Sequence, residues 1–191
     1  MSTNTPSKFR YHTAQSAPKE AKPSIQKSID CFGFLPNLHA IMAEAPSMLA
    51  SYHALWDLFG ESSLSPLEQQ VVLMAANFEN DCHYCVPGHS YIMTASGMPA
   101  DVIESLRNGT PITDSKLESL RTFSIALIQK RGHVGDNAVR AFIAAGYSER
   151  QALEVIVGLA MKLLSNYTNA IAHTELDEPV KNFAWTKPVD D

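Results

Sequence analysis

The residues best placed to do chemistry lie in Asn80-Asp81-Cys82-His83-Tyr84-Cys85-Val86-Pro87-Gly88-His89, which holds two of the chain's three cysteines. On a helix turning about 100° per residue, Cys82, Cys85 and His89 fall within about 60° of one another. Two thiols and an imidazole then share one face, with Asn80 or Asp81 available to cap the helix start. A helix N-terminus favours negative charge, so a thiol there ionises more easily, and the thiolate is the reactive form. The helix dipole alone favours Cys82 as the more acidic thiol. Cys85 lies one turn from His89 and Cys82 lies two.

Four uses of this pattern are open. The three residues could be core groups at helical spacing. Cys-x-x-Cys also has zinc-ligand spacing, with His89 or His83 as a third ligand, although a second knuckle is missing and Cys31 is far off in sequence. Thiol–disulfide exchange with a protein partner would use the same pair. In peroxide reduction a thiolate attacks the peroxide oxygen and the neighbouring cysteine resolves the sulfenic acid. A histidine can then take the thiol proton and help protonate the leaving alkoxide. None of the redox readings needs a bound cofactor. Cys31 is expected to be a buried small hydrophobe, and His39 and His53 to be surface or satisfied core histidines.

The elements that must hold this stretch read as helices. Ser65-Pro66-Leu67-Glu68 is a capping box with proline at the first helical position. Leu67, Val71, Met74, Ala75 and Phe78 follow at spacings of three and four. This helix is apolar nearly all round, is expected to be central, and leads directly into the cysteines. Further helices are predicted over Pro23–Asp30, Asn37–Phe59 with a restart at Pro46, the cysteine run on through Ile92 and Met93 to Gly97, a short stretch after Pro99, and a longer one capped by Thr113-Asp114. Two more cover residues 136–145 and the stretch after Ser148-Glu149. In the last, Leu153, Ile156, Val157, Ala160, Met161, Leu164 and Tyr167 form the expected core face, with Leu159 and Leu163 widening the apolar arc toward a subunit interface. No alternating β-branched run bounded by hairpin turns is present, so the expected fold class is all-α.

At 191 residues with 45% hydrophobic and 18% charged, the chain reads as a polar N-terminal arm over residues 1–24 followed by one helical domain over residues 25–191. A net charge of −5 and the lack of any lysine/arginine run argue against a nucleic-acid partner. No apolar stretch reads as a membrane span, and the polar opening lacks a signal-peptide core. Three cysteines make no disulfide framework, so the expected compartment is the reducing cytoplasm. In the tail, Phe183 and Trp185 are expected to anchor the chain to a partner surface.

The run from Leu64-Ser65-Pro66 through Cys82-His83-Tyr84-Cys85-Val86-Pro87-Gly88-His89-Ser90 resembles the carboxymuconolactone decarboxylase / alkyl hydroperoxidase D superfamily, and most closely its peroxidase-related group. The resemblance extends to Gly33-Phe34-Leu35-Pro36-Asn37, to Asn166-Tyr167-Thr168-Asn169 and to His173-Thr174-Glu175-Leu176-Asp177. It implies an all-helical fold assembled as a dimer, trimer or hexamer. It also implies Cys85 as the peroxidatic cysteine, Cys82 as the resolving one, and His89 in a proton relay. A hydroperoxide would be the substrate and a dithiol the reductant. Where the family's relay often begins with a glutamate, this chain has Gln70, whose amide cannot transfer protons as a carboxylate does. Glu79, at the end of the same helix, is the expected substitute. Pro87-Gly88 replaces the usual small helix formers and is expected to loosen the helix between Cys85 and His89. A histidine common after the late asparagine is here Ala170. The decarboxylase branch generally lacks the paired cysteines, so that activity is disfavoured. A helical oligomer of the same fold that only senses redox state is the remaining alternative.

Overall fold

A computed structural model describes residues 9–188. Those residues form nine α-helices and no strand. In chain order they are α1 (Lys22–Phe32), α2 (Asn37–Met42), α3 (Pro46–Gly60), α4 (Pro66–Glu79), α5 (Cys85–Ala95), α6 (Ala100–Asn108), α7 (Ser115–Gln129), α8 (Asp136–Ala144) and α9 (Glu149–Ala172). A 3-10 helix over Glu178–Phe183 follows.

The boundaries follow local chemistry. At α4 the Ser65 hydroxyl accepts from the Glu68 N–H while the Glu68 carboxylate accepts from the Ser65 N–H at 2.8 Å. Ser148 and Gln151 make the same reciprocal pair at α9, and the Asp114 carboxylate takes the Lys116 and Leu117 N–H groups at α7. Each cap satisfies donors that a helix start leaves unpaired. Helices α1 and α6 end on Gly33 and Gly109 in the left-handed conformation.

Helix α4 is the centre, with α5, α7 and α9 packed around it, and α3 lies against α9. Val71, Val72, Met74 and Ala76 on α4 are almost wholly buried. The α3–α9 approach depends on Gly158, where a Cβ would sit 2.7 Å from the Phe59 ring. Helix α9 alone among the described residues has the length and mean hydropathy of a membrane span, where no such stretch was expected, and 44% of that window is buried inside the fold. One face of it packs into the bundle and carries the buried Lys162, Asn166 and Asn169.

That face corrects the sequence reading of α9. Leu153, Ile156 and Tyr167, expected in the core, are 67%, 49% and 55% exposed. Met161 is buried as expected and Val157 and Leu164 pack against the core, but the rest of the buried face is Val155, Gly158, Lys162, Ser165, Asn166, Thr168 and Asn169. Apolar periodicity points partly to the wrong side because the inward side carries these polar residues. Cys31 is exposed near the end of α1 rather than buried. The tail docks on its own chain: the Trp185 indole N–H donates to the Arg107 carbonyl at 2.8 Å, and its ring meets Phe78.

The arm expected over residues 1–24 meets α1, which starts at Lys22; residues 1–8 lie outside the described residues. Ala17 and Ala21 are buried in the core, and the His12 N–H donates to the Ala40 carbonyl at 3.1 Å.

Candidate active site

Helix α4 ends at Asn80, and Asp81 then takes a left-handed φ of 50°. This reversal holds Cys82 in a turn, and the helix proper starts at Cys85. Neither Asn80 nor Asp81 caps α5, whose N-cap position is Tyr84 with no side-chain cap. The Cys82 sulfur accepts from the Cys85 N–H at 3.3 Å, while the Cys82 carbonyl accepts from the Val86 N–H at 3.1 Å. Pro87 falls in the first turn, where no intrahelical donor is required, so α5 runs unbroken through Pro87 and Gly88 to Ala95. The expected loosening does not occur.

Both thiols are buried. The Cys85 sulfur accepts from Asn166 Nδ2 at 3.1 Å and Asn169 Nδ2 at 3.2 Å, and Asn169 also reaches the Cys82 sulfur at 3.6 Å. Asn166 is itself fixed: Nδ2 donates to Asn77 Oδ1 at 3.0 Å, and Oδ1 accepts from Asn80 Nδ2 at 2.9 Å. Burial pushes the Cys85 thiol up, but the hydrogen bond from Cys82, the Lys162 charge and the two asparagine amides outweigh it and bring its pKa down to about 5. The Cys82 thiol is pushed up, first by its hydrogen bond to Cys85 and then by burial. The amide donors and the Lys162 charge thus favour the ionised form at Cys85 rather than at Cys82, the reverse of the dipole expectation.

His89 and Lys162 complete the cluster. Lys162, 1% exposed, donates from Nζ to His89 Nε2 at 3.1 Å. An ammonium has only hydrogens to give, so His89 Nε2 is the acceptor and Nδ1–H donates to Gln70 Oε1 at 2.8 Å. Burial, then the Lys162 charge, holds the His89 pKa well below its ordinary value, keeping the ring neutral. Among the described residues Lys162 meets no carboxylate, and a buried charge without a partner is costly. The Cys85 thiolate is the anion available to it.

Glu79 does not join this cluster. Nine residues separate it from Gln70, which places it about 180° around α4, on the opposite face. Its carboxylate instead accepts from Gln129 Nε2 on α7 at 2.9 Å. Glu79 therefore does not feed the relay as expected, and Gln70, which cannot pass protons, serves only to hold the His89 ring. His83 is directed to the Thr174 carbonyl at 3.1 Å. Neither histidine of the motif thus faces the thiols as a zinc-ligand set would require. His173, at the end of α9, is exposed.

A cavity of about 270 Å³ opens onto Cys85, His89 and Lys162. Its wall includes Trp56 and Tyr52 from α3, His39 from α2, and Phe32 and Phe34 beside the mouth. The buried wall histidine, His39, donates or accepts at Ser28 Oγ over 2.9 Å, and burial lowers its pKa to about 3. The separate sequence runs meet at the rim. The Asp177 carboxylate takes the Asn37 N–H at 3.0 Å and the Tyr84 hydroxyl, while Asn37 Nδ2 donates to the Glu175 carbonyl at 3.0 Å.

No protein-family model matches the chain, and no curated protein matches it. Solved structures do. An uncharacterized peroxidase-related protein from Ralstonia eutropha JMP134, described as an alkylhydroperoxidase AhpD core, superposes with a TM-score of 0.78 at 19% identity, covering 90% of this chain and 92% of that one. A second uncharacterized peroxidase-related protein, from Silicibacter sp. TM1040, gives 0.74 at 16% identity, covering 94% and 97%.

The chain has the AhpD fold.

The debrominase Bmp8, in a form complexed with 2,3,4-tribromopyrrole, shares the AhpD fold with a TM-score of 0.69 at 18% identity, covering 86% of this chain and 89% of that one. Within the AhpD fold of this chain, Cys85 and His89 line one cavity, and Cys82 lies behind Cys85, its sulfur accepting from the Cys85 N–H. Lys162, Asn166 and Asn169 were missed as site residues in the sequence. Their signal was available: three polar residues at spacings of four and three, and so on one face, in the mostly apolar second half of α9.

Proposed function

We propose that this chain is a thiol-dependent peroxidase of the AhpD-like superfamily, working in the reducing cytoplasm with a dithiol reductant. The observation that carries the reading is the environment of Cys85: its sulfur takes two asparagine amides, neighbours Cys82, and opens onto a cavity that Lys162 and His89 also line. Cys85 Sγ attacks the terminal oxygen of a hydroperoxide; the O–O bond breaks, Cys85 becomes a sulfenic acid, and an alkoxide leaves. Lys162 gives that alkoxide a proton, and His89, neutral and anchored by Gln70, holds the lysine in place. The Cys82 thiol then attacks the sulfenic sulfur, forming the Cys82–Cys85 disulfide and releasing water. A dithiol returns two electrons and the protons, restoring the pair.

Steady-state consumption of cumene hydroperoxide with dithiothreitol as reductant tests this. The native chain should turn over, and Cys85→Ser should consume nothing above the uncatalysed rate. A native pair that stays reduced in excess hydroperoxide would discard the enzyme reading in favour of a non-catalytic or sensing role.

One observation favours a second reading. The cavity is walled by aromatic rings, and Bmp8 shares the fold, so the same dithiol could remove halogen from an aromatic ring. Halide release from tribromopyrrole under reducing conditions, without hydroperoxide turnover, would select that reading.

A further inference from the structure

We infer that the cavity above Cys85 binds a small monocyclic aromatic molecule, seated in the space that Gly88 leaves open beside Trp56. This rests on the peroxidase reading only for the reactive group: there the ligand is an aryl-substituted hydroperoxide.

Volume is the first argument. An apolar cavity of roughly 150 Å³ accepts benzene, whereas one water's share of the liquid is about 30 Å³. The 270 Å³ here holds a ring with a branched substituent and would be left mostly unfilled by hydrogen peroxide. The lining is the second. Trp56 stands at the middle of a set of rings, 6.4 Å from Phe32, 6.3 Å from Tyr52 and 6.2 Å from His89 between centroids. Such tilted and edge-on arrangements present faces and edges that a further ring can join. At the mouth, Phe32, Phe34 and Tyr91 are 38%, 36% and 42% exposed, so the aromatic character continues outward along the entry path.

Gly88 is the third argument. It lies inside α5, where glycine weakens a helix relative to alanine. Its φ is not left-handed, and a Cβ there would meet nothing within 4 Å. Neither backbone conformation nor close packing explains the glycine. It lines the cavity one residue before His89 and three after Cys85, so any larger side chain would project into the space above the thiolate. The polar groups lie at the inner end, with Lys162 and His89 beside Cys85. A ring bearing a hydroperoxide would then sit with the O–O group inward and the ring against Trp56.

Calorimetry on the reduced full-length chain tests the ring site without any redox step, using 2-phenyl-2-propanol and its saturated counterpart 2-cyclohexyl-2-propanol. The aryl alcohol should bind saturably at one site, roughly threefold to tenfold tighter than the saturated one. Gly88→Leu should weaken it at least tenfold with no loss in thermal midpoint. Trp56→Leu should erase the aromatic preference, a check that stands if Gly88→Leu fails to fold. Absent binding, equal binding of the two alcohols, or native affinity in the folded Gly88→Leu chain would each overturn the inference. The peroxidase reading fails separately: aryl alcohol binding with no consumption of cumene hydroperoxide would leave the ring site standing and remove the reaction.

Discussion

A lysine 1% exposed, with no carboxylate beside it among the described residues, needs a compensating charge, and the Cys85 sulfur, whose ionised form the Lys162 charge favours, is the candidate. Removing it should therefore be felt at Cys85. In Lys162→Met the thiol pKa should climb from about 5 toward the ordinary ~8.5. Alkylation of Cys85 by iodoacetamide at pH 6 should slow on the order of tenfold or more, with the midpoint of its pH profile moved upward. A merely structural lysine would lower the amplitude without moving the midpoint. For the native chain the sign is fixed by the depressed pKa. Cys85 reactivity should be flat from pH 7 to 6 and fall as the pH drops through about 5. Glu79, bound to Gln129 on the far face of α4, should be dispensable, and Glu79→Gln should turn over within twofold of the native rate.

At the scale of the elements, what was legible depended on whether a helix face is decided by burial alone. The caps at Ser65, Asp114 and Ser148 were readable because each is a local contact between neighbours in sequence. Ser65→Ala should cost about 1 kcal/mol by denaturant melting, the usual worth of an N-cap. The central position of α4 was readable because apolar residues surround it. Two features were not readable. The left-handed turn at Asp81 takes Cys82 off the helix, and aspartate, though enriched there among non-glycine residues, announces such a turn only weakly. On α9, Leu153, Ile156, Ala160 and Tyr167 face outward while Met161, Val157 and Leu164 face in as expected, because much of the inner face is given to the polar groups around the thiols. Periodicity counts apolar residues and cannot distinguish a core from an interface.

That outward face bears on the whole molecule. Leu153, Ile156, Ala160, Leu163, Tyr167 and Ala170 are all exposed on α9, and they follow one another at alternating spacings of three and four. This is the apolar seam by which one helix packs against another, on the side of α9 opposite Lys162, Asn166 and Asn169. Leu159, expected to belong to the same arc, is half-buried and packs inward. We propose that a second copy of the chain covers the seam. Light scattering at micromolar concentration should then give a multiple of the 21.0 kDa chain, and Leu163→Glu should reduce it toward a single chain. A native mass of one chain would refute the assembly. Because the seam and the amides share a helix, Leu163→Glu should also disturb the Cys85 pH profile.

The claim on which the rest depends is that Cys85, and not Cys82, is the sulfur that reacts. Its most direct test is site-mapped trapping of the sulfenic acid in the two single-cysteine-replaced chains, Cys82→Ser and Cys85→Ser. Each is treated with one equivalent of cumene hydroperoxide in the presence of dimedone and read by peptide mass spectrometry. The account predicts a dimedone adduct on Cys85 in the Cys82→Ser chain, formed once and without turnover, and none on Cys82 in the Cys85→Ser chain. An adduct on Cys82 in Cys85→Ser, with Cys85 unmodified in Cys82→Ser, would contradict it.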